Sequence, residues 1–423
     1  MKTYTTISLG CKVNAYEISA LTSRLIELGY KEDNINPDIA IINTCSVTAT
    51  ADQKSRQHIR KLINNYPNAI VVVMGCYSQG QHEFIKNEIK PAIITGTSNR
   101  DKIIEAIREY ELTHNPIDLT SSNPRNYEYE ELGLTTHFEN VRAYLKIQDG
   151  CDNFCSYCLI PYRRGKARDR DPQSILKEAE YIVSQGYKEI VLTGIHVGGY
   201  GKNKEYNFSS LVKDLLDIKG LYRLRISSIE ESEIDDELIK LINTKDNLAT
   251  HFHIPLQSGS DTVLKRMNRK YNCEQFLNKI NLIKKACPQV TLTTDVIVGF
   301  PGENEEEFNE TYEFIKRCGF HQLHVFPFSS REGTLASRMP NQIDPRIKKQ
   351  RALKLIELSN SLWDSYTNKF VNKEVEVLVE QYDNKNKCNI GHTSNYLEVK
   401  IPSEIDKSGQ IIKTIFKKQD VIE

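Results

Sequence analysis

Short apolar runs alternate with helical patterns along the amino-terminal part of the chain. "TYTTISLG", "DIAIINT", "AIVVVMG" and "AIITGT" have the length and β-branched content of strands, and three of them are nearly continuous rather than alternating. Between them, "AYEISALTSRLIELGY" and "DQKSRQHIRKLINNYP" space their apolar residues as helices do, and Gly29 ends the first. Continuous strands separated by helices predict a parallel sheet covered on both faces, a Rossmann-like α/β domain over 1–115.

A polar segment over 116–138, rich in Asn, Thr, Glu and Tyr, reads as a linker. A second alternation follows over 139–366. Its candidate strands are "RAYLKIQDG", "EIVLTGIHV", "YRLRISSIE", "HFHIPLQSG", "LTTDVIVGF" and "HQLHVFPFSS", with helical segments between most of them. Six such units predict a partial (βα)6 barrel with its chemistry at the C-terminal strand ends. Over 367–423 the pattern changes to alternating "KEVEVLVEQ", "NYLEVKIP" and "QIIKTIFKK", separated by the turn-rich "DNKNKCNIGHTSN". This predicts a small antiparallel β-barrel.

The totals narrow the chemistry. With 56 basic and 56 acidic residues the formal charge is zero, so no global field draws the chain to nucleic acid or membrane, and any RNA surface must be local. No apolar run is long enough to span a bilayer, and the start "MKTYTTISLGCKVN" lacks a secretory h-region. The expected compartment is the cytoplasm, where thiols stay reduced. Ten cysteines in such a chain point to ligation or catalysis where they cluster. Cys273, Cys287, Cys318 and Cys388 cluster with nothing and read as ordinary packing residues.

Cys151, Cys155 and Cys158 stand as C-x3-C-x2-C directly after a predicted strand. Zinc sites usually take four ligands in two separated pairs, so a zinc knuckle would have to borrow a distant residue. A cubane iron–sulfur cluster commonly takes one cysteine per iron, and three cysteines leave one iron open to a ligand that is not protein. Cys11, Cys45 and Cys76 close the predicted strands "ISLGC", "IINTC" and "VVMGC". In a parallel sheet those ends share one edge, where α/β proteins bind ligands. Each alone would read as a core cysteine; together they read as a second three-cysteine site.

C-x3-C-x2-C after the first strand of a partial barrel resembles the radical S-adenosylmethionine (SAM) enzymes. With the second cysteine set in "GCKVN", "NTC" and "GC", the whole chain resembles the methylthiotransferases. The resemblance implies an amino-terminal domain carrying an auxiliary cluster, a radical SAM barrel and a carboxy-terminal TRAM-like β-barrel. It implies two [4Fe-4S] clusters, held by Cys151, Cys155 and Cys158 and by Cys11, Cys45 and Cys76. It also implies SAM cleaved by one electron to a 5′-deoxyadenosyl radical, and a C–H bond replaced by S–CH3. The cofactors carry that step, since no acid, base or thiol nucleophile attacks an unactivated hydrogen.

Further positions follow from the same resemblance. Tyr157 would lie against the adenine of SAM, and Thr193 and Gly194 would hold its amino group through the backbone. Ser227 and Glu230, then Gln257 with Ser258, then Asp295 with Gly299, fall at the ends of the third, fourth and fifth barrel strands as candidate cofactor or substrate contacts. The run "YRRGKARDR" follows the cluster, and Arg163, Arg164, Lys166 and Arg168 are candidates for RNA phosphate or the SAM carboxylate. Arg170 completes the run. The C-terminal lysines Lys413, Lys417 and Lys418 could follow phosphate, although lysines and acids balance in that domain.

Among methylthiotransferases, "SLGCKVNAYE" is most similar to the type acting on C2 of N6-threonylcarbamoyladenosine beside the tRNA anticodon. The isopentenyladenosine type more often reads GCQMN there, and a third type modifies a ribosomal-protein aspartate. The resemblance also implies tRNA as partner and an electron donor such as flavodoxin or ferredoxin, with neither membrane nor DNA involved. A reading from another class is a non-enzymatic iron–sulfur protein that binds RNA or passes electrons.

Overall fold

The computed structural model describes residues 1–138 and 140–418. Glu139, the expected start of the barrel, and 419–423, the expected end of the C-terminal domain, lie outside the described residues.

The first domain is built on strands β1 (Thr3–Ser8), β2 (Ile39–Thr44) and β3 (Ile70–Gly75), which lie side by side in that order. Two-residue strands at Lys31–Glu32, Ile93–Ile94 and Ile117–Asp118 extend the sheet, and every pairing is parallel. All six residues of β2 are buried, which is why it reads as a run and not an alternation. Its Ile39 and Ile41 pack with Ile18 and Leu25 of helix α1 (Lys12–Glu27), while Ala40 and Ile42 pack with Ile59 and Leu62 of α2 (Ala49–Asn65). Thr48 starts α2 by accepting from the Ala51 N–H. Helices α3 (Cys76–Phe84) and α4 (Ile103–Thr113) complete the layers.

The stretch 116–138 is more than a tether. Ile117–Asp118 forms the sheet edge, Glu130 pairs with Arg100 at 2.6 Å, and Glu131 pairs with Arg170 at 3.1 Å. It is a packed strap between the first domain and the barrel.

Six parallel strands form the second unit: β4 (Ala143–Lys146), β5 (Glu189–Thr193), β6 (Arg223–Ile226), β7 (His251–His253), β8 (Thr291–Val298) and β9 (Gln322–Pro327). They pair as two triplets, β4–β5–β6 and β7–β8–β9, joined by single bridges at Leu224–Leu248 and Ser228–His253. Helices α5 (Pro172–Ser184), α6 (Phe208–Leu216), α7 (Asp236–Thr244), α8 (Cys273–Ala286), α9 (Glu305–Cys318) and α10 (Pro345–Thr367) cover the outside. Asp171 with Pro172, the Asn272/Gln275 box and the Asn304/Glu307 box start three of them, satisfying N–H groups that a helix cannot pair internally. This is the partial (βα)6 barrel, with one continuous core.

The last unit is a curled antiparallel sheet, a half-barrel, ordered β12 (Glu398–Pro402), β11 (Cys388–Thr393), β10 (Glu374–Asp383) and β13 (Ile411–Ile415). Strand β11 falls inside "DNKNKCNIGHTSN", which the sequence presents as turn. Only its central Ile390 is a strong apolar residue, so pairing on both sides, and not pattern, makes it a strand. The unit docks on the barrel through Arg225, which donates to the carbonyls of Thr393 and Ser394, each at 3.1 Å. Among the described residues no helix is long and apolar enough to cross a membrane.

Candidate active site between two cysteine sets

The register of the first sheet brings three cysteines together. Ser8 pairs with Asn43 and Thr44 with Gly75, so Cys11, Cys45 and Cys76 all follow the C-terminal ends of adjacent strands. Two glycines allow the approach. Gly75 sits at φ +106°, and a Cβ there would meet the Asn43 Oδ1 at 2.3 Å; this elbow lets Cys76 open α3 directly after β3. Gly10 sits at φ +97°, and a Cβ there would lie 2.6 Å from the Cβ and Sγ of Cys45. The "GC" pairs of the sequence are thus geometric requirements of the site. The three sulfurs lie near enough for Cys11 to raise the pKa of both others. Burial is the larger cause, and it pushes Cys76 up to about 11.

The second set sits on the loop after Gln148–Asp149, at the mouth of the barrel. The loop is pinned from both sides. Ser156 bonds to the carbonyls of Met267 and Arg266 at 3.0 and 2.8 Å, and Asn268 holds the carbonyl of Phe154, which adopts φ +48°, at 2.9 Å. Arg269 donates to the Cys155 sulfur at 3.3 Å. Burial raises the pKa of Cys151 and Cys158 to about 12 each. Among the described residues no group of His, Cys, Asp or Glu is arranged to hold a single metal ion. A cubane makes a different demand, because each iron takes its own cysteine and the sulfurs surround a cluster instead of converging on a point. Five of the six thiols are buried or half-buried and Cys11 is exposed; each set lies beside a guanidinium, which suits anionic clusters whose iron displaces the thiol protons.

One cavity of about 260 Å³ is lined by residues that neighbour both sets in sequence. Val47 and Thr48, just past Cys45, line one side, and Tyr157, between Cys155 and Cys158, lines the other. Gln257, Asp295, Phe326 and Arg331 complete it. Arg331 holds the facing loop by donating to the Ser46 carbonyl and hydroxyl at 3.2 and 3.1 Å and to Asp52 at 2.6 Å.

The remaining sequence candidates fall elsewhere. Glu230 is ion-paired with Arg269 beside Cys155 and lines a small cavity of about 60 Å³ there. Ser227 lines a separate cavity deeper in the barrel, and Ser258 is buried against Thr311. Thr193 is buried with its carbonyl taken by the Ile147 N–H at 2.9 Å, and Gly194 packs on Gln148. Gly299 is a turn at φ +70° against Lys348, its N–H bonded to Glu303 at 2.8 Å. The structure does not bring Thr193, Gly194 or Gly299 to the cavity of about 260 Å³.

The basic run is corrected most. Arg164 is fully buried, 0 % exposed, where it donates to Glu17 at 2.8 Å, Asp149 at 3.1 Å, Asn14 at 2.8 Å and the Cys76 sulfur at 3.2 Å. Arg168 is buried on the Pro124 carbonyl, and Arg170 is buried against Glu178. Arg163 is half-buried over Gly80, which leaves Lys166 as the exposed member of the four. A guanidinium enclosed by carboxylates cannot reach an RNA phosphate; the run instead joins the first domain to the barrel. Lys413 and Lys418 lie 3.8 Å from Glu374 and Asp364 at the surface.

Lys12, Arg269 and Arg331 were not singled out as site residues by the sequence, and only the fold brings them to the cavities or sulfurs.

Comparison with known proteins agrees with this layout. Residues 145–315 match the Radical SAM superfamily, and residues 3–96 match the uncharacterized protein family UPF0004. The chain is 45% identical to the threonylcarbamoyladenosine tRNA methylthiotransferase MtaB of Bacillus subtilis, over 96% of this chain and 92% of that one. It is 36% identical to a tRNA-2-methylthio-N(6)-dimethylallyladenosine synthase of Thermoanaerobacter pseudethanolicus, over 88% of this chain and 80% of that one. In fold it is similar to the radical SAM methyltransferase TsrM of Kitasatospora setae, with a TM-score of 0.60 at 13% identity, covering 80% of this chain and 74% of that one. With both cysteine sets, the barrel and a full-length relative at this identity in view, the chain belongs to the radical SAM methylthiotransferases, enzymes that use SAM and [4Fe-4S] clusters.

Proposed function

We propose that the chain methylthiolates C2 of N6-threonylcarbamoyladenosine beside the anticodon of tRNA. One observation carries the reading: a single cavity is bounded by the loop after Cys45 on one side and by Tyr157 on the other. A substrate there would touch the neighbours of both cysteine sets, as suits a reaction using two clusters on one carbon. Bound SAM and the two clusters supply the hydrogen abstraction and the sulfur, which no side chain here can provide.

The chain's own residues position and shield. Cys151, Cys155 and Cys158 hold one cluster, and Cys11, Cys45 and Cys76 hold the other. Tyr157 offers a ring to the adenine of SAM, packed from behind by Val263, Met267 and Phe328. Gln257, held at φ +64° with its N–H on the Asp295 carbonyl at 2.8 Å, and Asp295 offer polar contacts to SAM or substrate. Val47, Ile297 and Phe326 supply apolar wall to the cavity beside the polar Gln257, Asp295 and Arg331. Electrons would come from a donor such as flavodoxin or ferredoxin, and the work would be done in the cytoplasm.

Nucleoside mass spectrometry of total tRNA from cells with and without the gene tests this. The expected result is loss of the methylthio form of threonylcarbamoyladenosine and accumulation of its precursor. Loss of the dimethylallyl counterpart instead, or an unchanged tRNA profile, would overturn the substrate. Absence of 5′-deoxyadenosine from reduced, fully reconstituted protein with SAM would overturn the enzymatic reading itself.

A further inference from the structure

Asp295 and Phe326 are shared walls. On their far side, inside the barrel, lies a second cavity of about 250 Å³. Each cavity is below the range of about 300–1,000 Å³ common for ligand pockets, and together they suit a base with an amino-acid-sized appendage.

The inner cavity is lined by cations whose partners are unequal. Arg225 is held by Glu189 at 2.7 Å, and Arg142 by Glu380 at 2.9 Å. Asp295, the carboxylate lining the cavity, faces His253 at 3.2 Å. Lys12, projecting from the start of α1, has no hydrogen-bond or ion-pair partner among the described residues. Lys12 is exposed to solvent where it lines the cavity, so its ammonium is open to an anionic group that enters there.

A second observation is independent of charge. His251 lines the same cavity, is 6 % exposed, and its Nδ1 is buried without a hydrogen-bond partner. Tyr396 stacks on its ring at 4.5 Å, and its Nε2 lies 2.9 Å from the Thr293 hydroxyl, which also lies 2.9 Å from His253 Nδ1. The hydroxyl has one proton for two imidazoles. When His253 Nδ1 donates to the Thr293 hydroxyl, the hydroxyl donates to His251 Nε2. His251 then carries its own proton on Nδ1, as a free buried donor at the cavity. An unpaired ammonium and an unpaired buried donor in one cavity describe a site for a small oxyanion.

We propose that this inner cavity is an anion subsite, where Lys12 pairs with the carboxylate of the amino acid carried on the N6 substituent of the substrate base. The proposal rests on the functional reading above and deepens it. Threonine attached through its nitrogen to a carbamoyl group keeps its carboxylate free, and a purine in the first cavity could direct that appendage past Asp295 and Phe326. A backbone phosphate of the RNA shares the oxyanion chemistry, so the test must separate the two sources.

The test uses reconstituted full-length protein and two anticodon stem-loop RNAs. One bears threonylcarbamoyladenosine; the other bears the same nucleoside with its carboxylate converted to a carboxamide. Affinity by fluorescence anisotropy and kcat/KM for methylthiolation are measured for both, with iron content as control. The expected result is a preference for the carboxylate RNA of about tenfold or more in the native protein. That ratio should fall to about one in Lys12→Gln, and fall in His251→Phe, which keeps a ring for Tyr396 to stack on. A native ratio of one would overturn the subsite while leaving the enzyme's reading intact. An equal loss on both RNAs in Lys12→Gln would overturn it too, assigning Lys12 to phosphate or to the neighbouring Cys11. Methylthiolation of a dimethylallyl RNA but neither threonylcarbamoyl RNA would overturn the substrate reading, and the subsite with it.

Discussion

Arg164 donates its Nε–H to the sulfur of Cys76 at 3.2 Å, so the segment that leaves the barrel's cysteine loop touches the cysteine set of the other domain. The same guanidinium bonds Glu17 of α1 and Asp149 of the barrel, and Lys146 and Arg100 close the cluster around them. Burial alone would raise the pKa of Glu17 and Asp149; Arg100 and Arg164 for Glu17, and Lys146 and Arg164 for Asp149, hold both below the usual carboxylate range.

Replacing Arg164 by Met should therefore be far more damaging than a surface change. It leaves two buried carboxylates short of a partner, at a cost of roughly 3–5 kcal/mol. Arg164→Lys should recover little, because an ammonium cannot fork to four acceptors. Urea unfolding of the three proteins measures this, and a Met variant within about 1 kcal/mol of native would refute the role.

Gly10→Ala places a methyl against Cys45 at an angle that L residues avoid. Iron per chain should fall to about half, with the loss confined to the amino-terminal site. SAM cleavage to 5′-deoxyadenosine should persist. Iron counts at the native level would mean that the Gly10 turn can shift without disturbing Cys45.

Arg331 ties the barrel's last loop to Ser46 and Asp52 beside Cys45. Arg331→Ala should uncouple the halves of the reaction: 5′-deoxyadenosine still forms, while methylthiolated product falls by about tenfold or more, because small misplacements are costly in transfer steps. Product and deoxyadenosine falling in parallel would instead indicate damage to the barrel site.

Glu189 predicts a pH dependence. Burial would raise its pKa, but Arg225, Arg223 and Arg142 outweigh that and hold it at about 2. A depressed carboxylate contributes stability fully present above its unfolded pKa of about 4.3 and lost as pH falls towards 2, here roughly 3 kcal/mol. Calorimetry of native protein and Glu189→Gln should show a constant gap in melting temperature from pH 8 to about 5, narrowing below about 4.3. A gap unchanged at pH 3 would mean the arginines do not set this carboxylate's charge.

The two cysteine sets were legible because their spacing is local: Cys151 to Cys158 in one loop, and Cys11, Cys45 and Cys76 each at the end of a recognisable strand. The strand β11 was not legible, since "CNIGHT" owes its conformation to partners on both sides. "YRRGKARDR" was misleading for a related reason. A charge run normally marks a solvated face, but Arg164 and Arg168 meet carboxylates and a carbonyl supplied by distant segments, and nothing in the run itself announces them.

By itself, the sequence determined the order of three units, the parallel character of the first two and the six thiols, because strand burial, helix periodicity and ligand spacing are properties of neighbours along the chain. The tertiary structure decided what faces what. It set Val47 and Tyr157 on one cavity, buried Arg164 at the joint, and put an unpaired Lys12 and the orphaned Nδ1 of His251 on a second. Those are pairings over long sequence separations, fixed by sheet register and domain docking, which no local pattern encodes.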